Sequence, residues 1–211
     1  MLIATTNPGK VREIRAILAG IPYEIVSLDA WPAIDAPEEN GRTFEENARG
    51  KALYYATATG ELTVAEDSGL EIDALGGAPG VQSARYGGVE TSYPDKFALI
   101  YAALHQRGSV DSTARFVCAL ALASGERGAG RSDPRRIIFE TRASVEGRIA
   151  PAPRGSGGFG YDPIFFYPPY GCTLAEATAD QKTAVSHRGQ AFRTLRRFLD
   201  QNSASLRQRR S

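Results

Sequence analysis

The sequence predicts an α/β fold built on a mixed sheet. Three observations support this. Short apolar strand patterns alternate with amphipathic helix patterns along the 211 residues. Two strand patterns late in the chain are hairpin-like neighbours, which argues against a purely parallel sheet. No repeat and no linker divides the chain, so residues 1–200 read as one domain and residues 201–211 as a disordered tail.

The elements follow in order. Leu2–Thr6 is a short apolar strand. Asn7 suits a helix N-cap and Pro8 its first position; Val11, Ile14, Ile17 and Leu18 then share one face until Gly20 stops the helix. Tyr23–Leu28 alternates as a strand, and Trp31–Gly41, rich in proline and acids, is a loop. Thr43 opens a second helix with Glu46 as the partner in a capping box, and Phe44, Ala48, Ala52 and Tyr55 form its buried stripe. Leu62–Ala65 is a strand ending at Glu66-Asp67-Ser68-Gly69. Leu75–Gly88 is a glycine-bearing loop, and Pro94–Gln106 is a helix with Phe97, Ile100, Tyr101 and Leu104 inward. Arg115–Ala123 is apolar on both faces, as a central strand is, and Ile137–Val145 alternates cleanly. The polar Gly125–Arg136 between them reads as a flexible hairpin loop. Gly155–Gly160 is a loop and Ile164–Tyr167 a short strand. Arg188–Asp200 is the last helix, with Ala191, Phe192, Leu195, Phe198 and Leu199 inward.

Composition excludes several classes. Lysine plus arginine number 25 and aspartate plus glutamate 24, a formal net charge of +1, so no global basic field draws the chain to nucleic acid or a membrane surface. No apolar run approaches membrane-spanning length. The start, Met1-Leu2-Ile3-Ala4-Thr5-Thr6, lacks the basic and long apolar stretches of a signal peptide. Cys118 and Cys172 make no disulfide framework, so a reducing cytosol is expected. Two histidines exclude a three-histidine zinc site.

Several motifs carry chemistry. Adjacent Glu66 and Asp67 are costly unless a cation sits beside or between them, and a strand end is where α/β folds display ligands. Asp67 can ligate Mg²⁺ and orient or deprotonate a water, and Ser68 can donate to phosphate. The bland reading is an acidic turn in which Asp67 caps a backbone N–H. Glu38-Glu39-Asn40-Gly41 offers further hard oxygen ligands, or simply a solvated loop. Thr5-Thr6-Asn7-Pro8-Gly9-Lys10 opens a helix whose N-terminus can hold phosphate, and a bound anion would relieve the conflict between Lys10 and the helix dipole. The same residues also fit an ordinary capped helix with a solvated lysine, and the spacing is not that of a P-loop. Gly155-Ser156-Gly157-Gly158-Phe159-Gly160 matches G-x-G-x-x-G by letter, but Asp162-Pro163 follows instead of a helix. It reads as a loop carrying Phe159, for stacking on a base or for the core, beside Asp162. Lys182 can meet phosphate, and His187 and Arg188 can donate to base carbonyls or phosphate oxygens. Ser186 suits the N-cap of the last helix, and His105 reads as solvated.

In this order the motifs resemble the inosine/xanthosine triphosphate pyrophosphatase family. The matching segments are Thr5–Lys10, Glu38–Gly41, Thr43–Ala48, Asp67–Leu70, Leu75–Val81, Ser83–Tyr86, Gly157–Phe165 and Ser186–Gln190, spread over nearly the whole chain. The resemblance implies an elongated, two-lobed α/β fold with a central mixed sheet flanked by helices, a cytoplasmic homodimer, and Mg²⁺ dependence. It implies hydrolysis of ITP, dITP and XTP to the monophosphate and pyrophosphate, without nucleic-acid or membrane partners. It carries Asp67 over as general base and metal ligand, and Glu38 as the second metal carboxylate. Thr5, Thr6, Asn7, Pro8, Gly9, Lys10, Ser68, Phe159, Gly160, Tyr161, Asp162, Lys182, His187 and Arg188 match substrate-binding positions. Of these, Thr6, Asn7, Lys10 and Lys182 are expected on the phosphates, Phe159 on the purine face, and Asp162, His187 and Arg188 on its edge. The family often has a second aspartate where this chain has Glu66, whose longer side chain displaces its carboxylate from a metal role. Gly125–Arg136 is longer than usual for the family. The alternatives are a pyrophosphatase for pyrimidine or modified nucleotides, and a nucleotide-binding protein without turnover.

Overall fold

The computed structural model describes residues 1–109, 111–124 and 136–208, the side chains of residues 204–208 excepted. The expected loop Gly125–Arg136 therefore lies outside the described residues, save for Arg136 itself. Strands β1 (Leu2–Ile3), β2 (Val26–Ser27), β3 (Thr63–Ile72), β4 (Thr113–Ala123), β5 (Ile137–Ile149), β6 (Phe165–Tyr167) and β7 (Cys172–Thr173) form one sheet among the described residues, in the order β2-β1-β3-β4-β5-β6-β7. β1 pairs parallel with β2 and β3, while β6 pairs antiparallel with β5 and β7, so the sheet is mixed as expected. The helices are α1 (Pro8–Ile17), α2 (Phe44–Thr59), α3 (Tyr93–Gln106), α4 (Ala179–Val185) and α5 (His187–Gln208). Among the described residues, no helix is long and apolar enough to cross a membrane.

The chain packs as two compact units. The first comprises Met1–Asp67, Cys118–Ala143 and Arg188–Ser211; the second comprises Ser68–Val117 and Ser144–His187. Strands β3, β4 and β5 each pass from one unit to the other. In the first unit Ile14, Ile17 and Leu18 of the first helical segment and Ala191, Phe192, Leu195 and Leu199 of α5 bury against Val64, Cys118, Leu120 and Leu122. In the second, Phe97, Ile100 and Leu104 of α3 pack with Leu70, Ile72, Phe116, Val145 and Phe165.

Local chemistry explains the element ends. Asn7 caps α1, its side-chain oxygen accepting from the backbone N–H groups of Gly9 (2.9 Å) and Lys10 (3.2 Å). Thr43 caps α2 by accepting from Glu46 N at 3.1 Å, but the Glu46 carboxylate reaches past the cap residue to Arg42 N at 2.7 Å. α4 has no counterpart in the sequence reading. Its seven residues are too few for a clear apolar stripe, and it is marked instead by a capping box between Thr178 and Gln181. α5 does not stop at Asp200 but continues to Gln208.

The difference that matters most concerns β3. It does not end at Ala65 but runs ten residues, straight through Glu66-Asp67-Ser68-Gly69 to Ile72. Leu70 and Ile72 are fully buried, and Leu70 N donates to Ser83 Oγ at 2.9 Å, so the far half of the strand has its own packing to hold it. Gly69 permits this: a Cβ there would press on Ser83 Oγ and come within 2.6 Å of Gly80 O. Gly69→Ala is expected to lower unfolding free energy by about 1–3 kcal/mol in urea titrations, because the Gly80 carbonyl and the Ser83 side chain must give way.

Candidate active site

Successive residues of a strand point to opposite faces, so a carboxylate doublet inside β3 is separated by the pleat itself. Glu66 turns toward α1 and α5. Its Oε1 lies 2.8 Å from Lys10 Nζ and accepts from Arg188 Nε (3.3 Å) and Nη2 (3.2 Å), while its Oε2 lies 3.5 Å from Cys118 Sγ. Arg188 Nη1 also donates to Glu13 at 2.8 Å. Glu66 and Arg188 are each only 2% exposed. Burial alone would raise the Glu66 pKa, but the charges of Arg188 and Lys10 outweigh it and hold the carboxyl well below its usual range. Burial, with the same carboxylate adding to it, pushes the Cys118 thiol well above its ordinary pKa, which makes it inert as a nucleophile.

Asp67 turns toward α2. Asn47 Nδ2 donates to its Oδ2 at 2.9 Å, and Lys51 Nζ lies 3.5 Å from its Oδ1. Lys51 in turn pairs with Glu39 Oε1 at 2.8 Å. Burial raises the Asp67 pKa, and the opposing effects of Lys51 and Asn47 do not cancel it. Burial likewise pulls the Lys51 pKa down, yet Asp67 and Glu39 together raise it. Here a buried carboxylate of enhanced basicity stands beside a cation that a second carboxylate shares.

The second unit holds its own polar set. Asp162, 2% exposed, accepts from Lys182 Nζ at 2.6 Å and from Phe159 N at 2.8 Å. Lys182 Nζ also sits over the Phe159 ring, 4.6 Å from its centroid. Gly158 makes room for this pair, since a Cβ there would collide with Asp162 Oδ2. His187 is buried with its ring stacked on Phe116, centroids 4.9 Å apart.

A family model described as the Ham1 family matches residues 1–198. This chain belongs to the Ham1 family. It is 47% identical over 197 residues to a dITP/XTP pyrophosphatase of Exiguobacterium sp., a match covering 92% of this chain and 94% of that protein. A solved HAM1 protein from Coxiella burnetii superposes with a TM-score of 0.83 at 36% identity, covering 95% of this chain and 98% of the other. A nucleoside-triphosphatase, dITP/XTP pyrophosphatase, from Mycobacterium abscessus gives a TM-score of 0.69 at 38% identity, covering 92% and 97%.

In this Ham1 chain the expected site residues fall into distinct sets. Lys10 and Arg188 meet on Glu66, and Asp162, Lys182 and Phe159 meet one another. Thr5 Oγ1 accepts from Asn7 N at 3.2 Å, which braces the turn before α1; Thr6 and Pro8 are exposed and Gly9 is buried. Ser68 is half-buried one residue past Asp67. Gly160 holds the left-handed φ of 69° that its turn requires, whereas the Tyr161 side chain belongs to the core, its hydroxyl donating to Ser83 O at 2.8 Å. The loop carboxylate whose charge bears on Asp67 is Glu39; Glu38 is exposed and accepts from Asn40 at 2.7 Å. Phe159 is half-buried rather than core.

Two site residues have no role in the sequence analysis: Asn47 and Lys51. A signal existed for them, since they lie four apart on α2, share a face and flank the buried stripe of Phe44, Ala48, Ala52 and Tyr55.

Glu66 defines a stability prediction. Its folded pKa is depressed, so its contribution is present above the unfolded value of about 4.3 and is lost as pH falls through the folded value. Glu66→Gln leaves Arg188 and Lys10 poorly compensated and is expected to lower stability by about 3–5 kcal/mol at pH 7. The gap between variant and parent should narrow on acidification below about pH 4.3, which urea titrations at several pH values will read.

Proposed function

We propose that this chain hydrolyses noncanonical purine nucleoside triphosphates, namely dITP, ITP and XTP, to the monophosphate and pyrophosphate, clearing deaminated purines from the nucleotide pool. What carries the reading is the extent of the family match: residues 1–198 include every segment that supplies a site residue. The relative of Exiguobacterium sp. that is 47% identical is named a dITP/XTP pyrophosphatase.

Mg²⁺ is the expected cofactor. Among the described residues, no group of three or more ligating side chains gathers into a metal site. Mg²⁺ does not require one, because it commonly takes one or two carboxylates and completes its octahedron with water and substrate phosphates. The donor set fits: Asp67 with Glu39, and with Glu38 from the same loop, offers hard oxygens, and the Lys51 ammonium shared by Asp67 and Glu39 marks a place that attracts positive charge. When bound, the ion offsets triphosphate charge and stabilises the leaving pyrophosphate.

The chain's own residues do the rest. Asp67, its basicity raised by burial, orients a water and takes its proton as the water oxygen bonds to the α-phosphorus. The bond from that phosphorus to the oxygen bridging to the β-phosphorus breaks, and pyrophosphate departs. Lys10, Asn7 and Ser68 contact the phosphates. For the base, the second unit supplies Phe159 as a stacking face, with Asp162, Lys182 and His187, and Arg188 follows directly in sequence. Hypoxanthine and xanthine present a 6-oxo acceptor and lack guanine's 2-amino donor, while adenine presents a 6-amino donor. Each buried group left unpaired by the wrong base costs about 1–3 kcal/mol, so two mismatches discriminate strongly.

We assign the enzyme to the cytoplasm, where the free nucleotide pool lies, as a homodimer. The cysteines Cys118 and Cys172 are both free, as suits a reducing compartment.

The deciding experiment is a triphosphate panel scored for pyrophosphate. ITP, dITP and XTP are expected to be cleaved at least about a hundredfold more efficiently than ATP or GTP with Mg²⁺, and not at all with excess EDTA. A panel in which pyrimidine or canonical nucleotides lead would refute the assignment.

A second prediction concerns Asp67→Asn. It is expected to lose at least about a hundredfold in kcat on ITP. The raised Asp67 pKa means that ionising this group costs stability above the folded value, and the cost disappears as pH falls through it. The variant should therefore unfold no earlier than the parent at pH 7 in EDTA, read by thermal melting.

A further inference from the structure

We propose that Glu66 is a positioning residue that sets the placement of Lys10 and Arg188 for turnover, an inference that rests on the triphosphate reading above. Its geometry is that of a shared acceptor. One carboxylate oxygen, Oε1, takes Lys10 Nζ at 2.8 Å and both Nε (3.3 Å) and Nη2 (3.2 Å) of Arg188. The carboxylate is anchored deep in β3, and its side chain is 1% exposed against 18% for Lys10 and 3% for Arg188.

The two cations need such an anchor. Lys10 lies in the first turn of α1 and Arg188 in the first turn of α5, where the helix dipole disfavours positive charge. Both have long, rotamer-rich stems, and they meet on one oxygen, close enough to repel each other without it. Glu66 offsets that repulsion and holds each charge at one point. Glu13 adds a second restraint on Arg188, through Nη1 at 2.8 Å, while Glu66 meets both cations directly.

Nor does Glu66 duplicate Asp67. The pleat sends it to the other face of β3, where its direct ion pairs are with Lys10 of α1 and Arg188 of α5, while Asp67 meets Asn47 and Lys51 of α2. Lys10 belongs to the segment proposed for the phosphates and Arg188 to the residues proposed for the base. Loosening both at once should therefore weaken nucleotide binding and base discrimination together.

The test compares the full-length parent, Glu66→Gln and Glu66→Asp in steady-state kinetics with Mg²⁺, on ITP and on GTP. Glu66→Gln is expected to raise the KM for ITP about tenfold and to shrink the ratio of kcat/KM for ITP over GTP by a similar factor, the loss of a charge-assisted hydrogen bond. Glu66→Asp keeps the charge on a stem one methylene shorter, and both effects should fall between parent and Glu66→Gln. A purely structural role would reduce the folded fraction, which scales kcat and leaves KM and the ITP-to-GTP ratio unchanged. That result overturns the proposal. If Glu66→Gln does not fold, Glu66→Asp carries the test alone, and a parental KM with a parental ratio overturns it. A parent that fails to cleave ITP refutes the functional reading itself, whatever the variants do.

Discussion

A β-strand that carries two acidic residues in succession must send them to opposite faces, and this constraint organises everything around residues 66 and 67. Because β3 does not stop at Ala65, Glu66 and Asp67 make their direct ion pairs with different cations: Lys10 and Arg188 for the first, Lys51 for the second. Lys51 also acts on Glu66, and Lys10 on Asp67, through charge alone. The pleat thus divides an electrostatic liability between two sets of close partners. The length of the strand is secured by Leu70 and Ile72 and by the close approach that Gly69 allows.

The two carboxylates then diverge in chemistry because their surroundings differ. Glu66 has two cations pressed on one oxygen, and their attraction exceeds the penalty of burial; it stays ionised and inert. Asp67 pairs with Lys51, which Glu39 shares, and takes the hydrogen bond from Asn47; their pull and the weaker one of Lys10 do not match the burial. A carboxylate of raised pKa is the better proton acceptor near neutrality, so the residue suited to activate water is the one whose compensation is incomplete. In the second unit a similar economy ties Lys182 to Asp162 and lays the same ammonium over Phe159. One lysine there orders both an aromatic face and a hydrogen-bonding carboxylate.

Local signals located most of the elements. The N-caps Asn7 and Thr43, the proline at the start of α1 and the apolar stripes of α1, α2, α3 and α5 are short-range features, and each appears where the chain's pattern places it. The largest miss is non-local. β3 runs on through its acids because Leu70, Ile72 and Ser83 hold it, which no window around Glu66 reveals. α4 is too brief to show periodicity, and the end of α5 carries no stop signal that distinguishes Asp200 from Gln208.

By itself the sequence determined the fold class, the family and the residue types available for chemistry, because caps, periodicity and motif order are written in neighbouring residues. Only the tertiary structure decided which carboxylate meets which cation. That Glu39 rather than Glu38 bears on Lys51 and Asp67, that Glu66 joins Lys10 to Arg188, and that the Tyr161 side chain is buried in the core all depend on residues far apart along the chain. Charge pairing in a buried site is set by distances of a few ångströms between separate elements, and a linear pattern does not contain those distances.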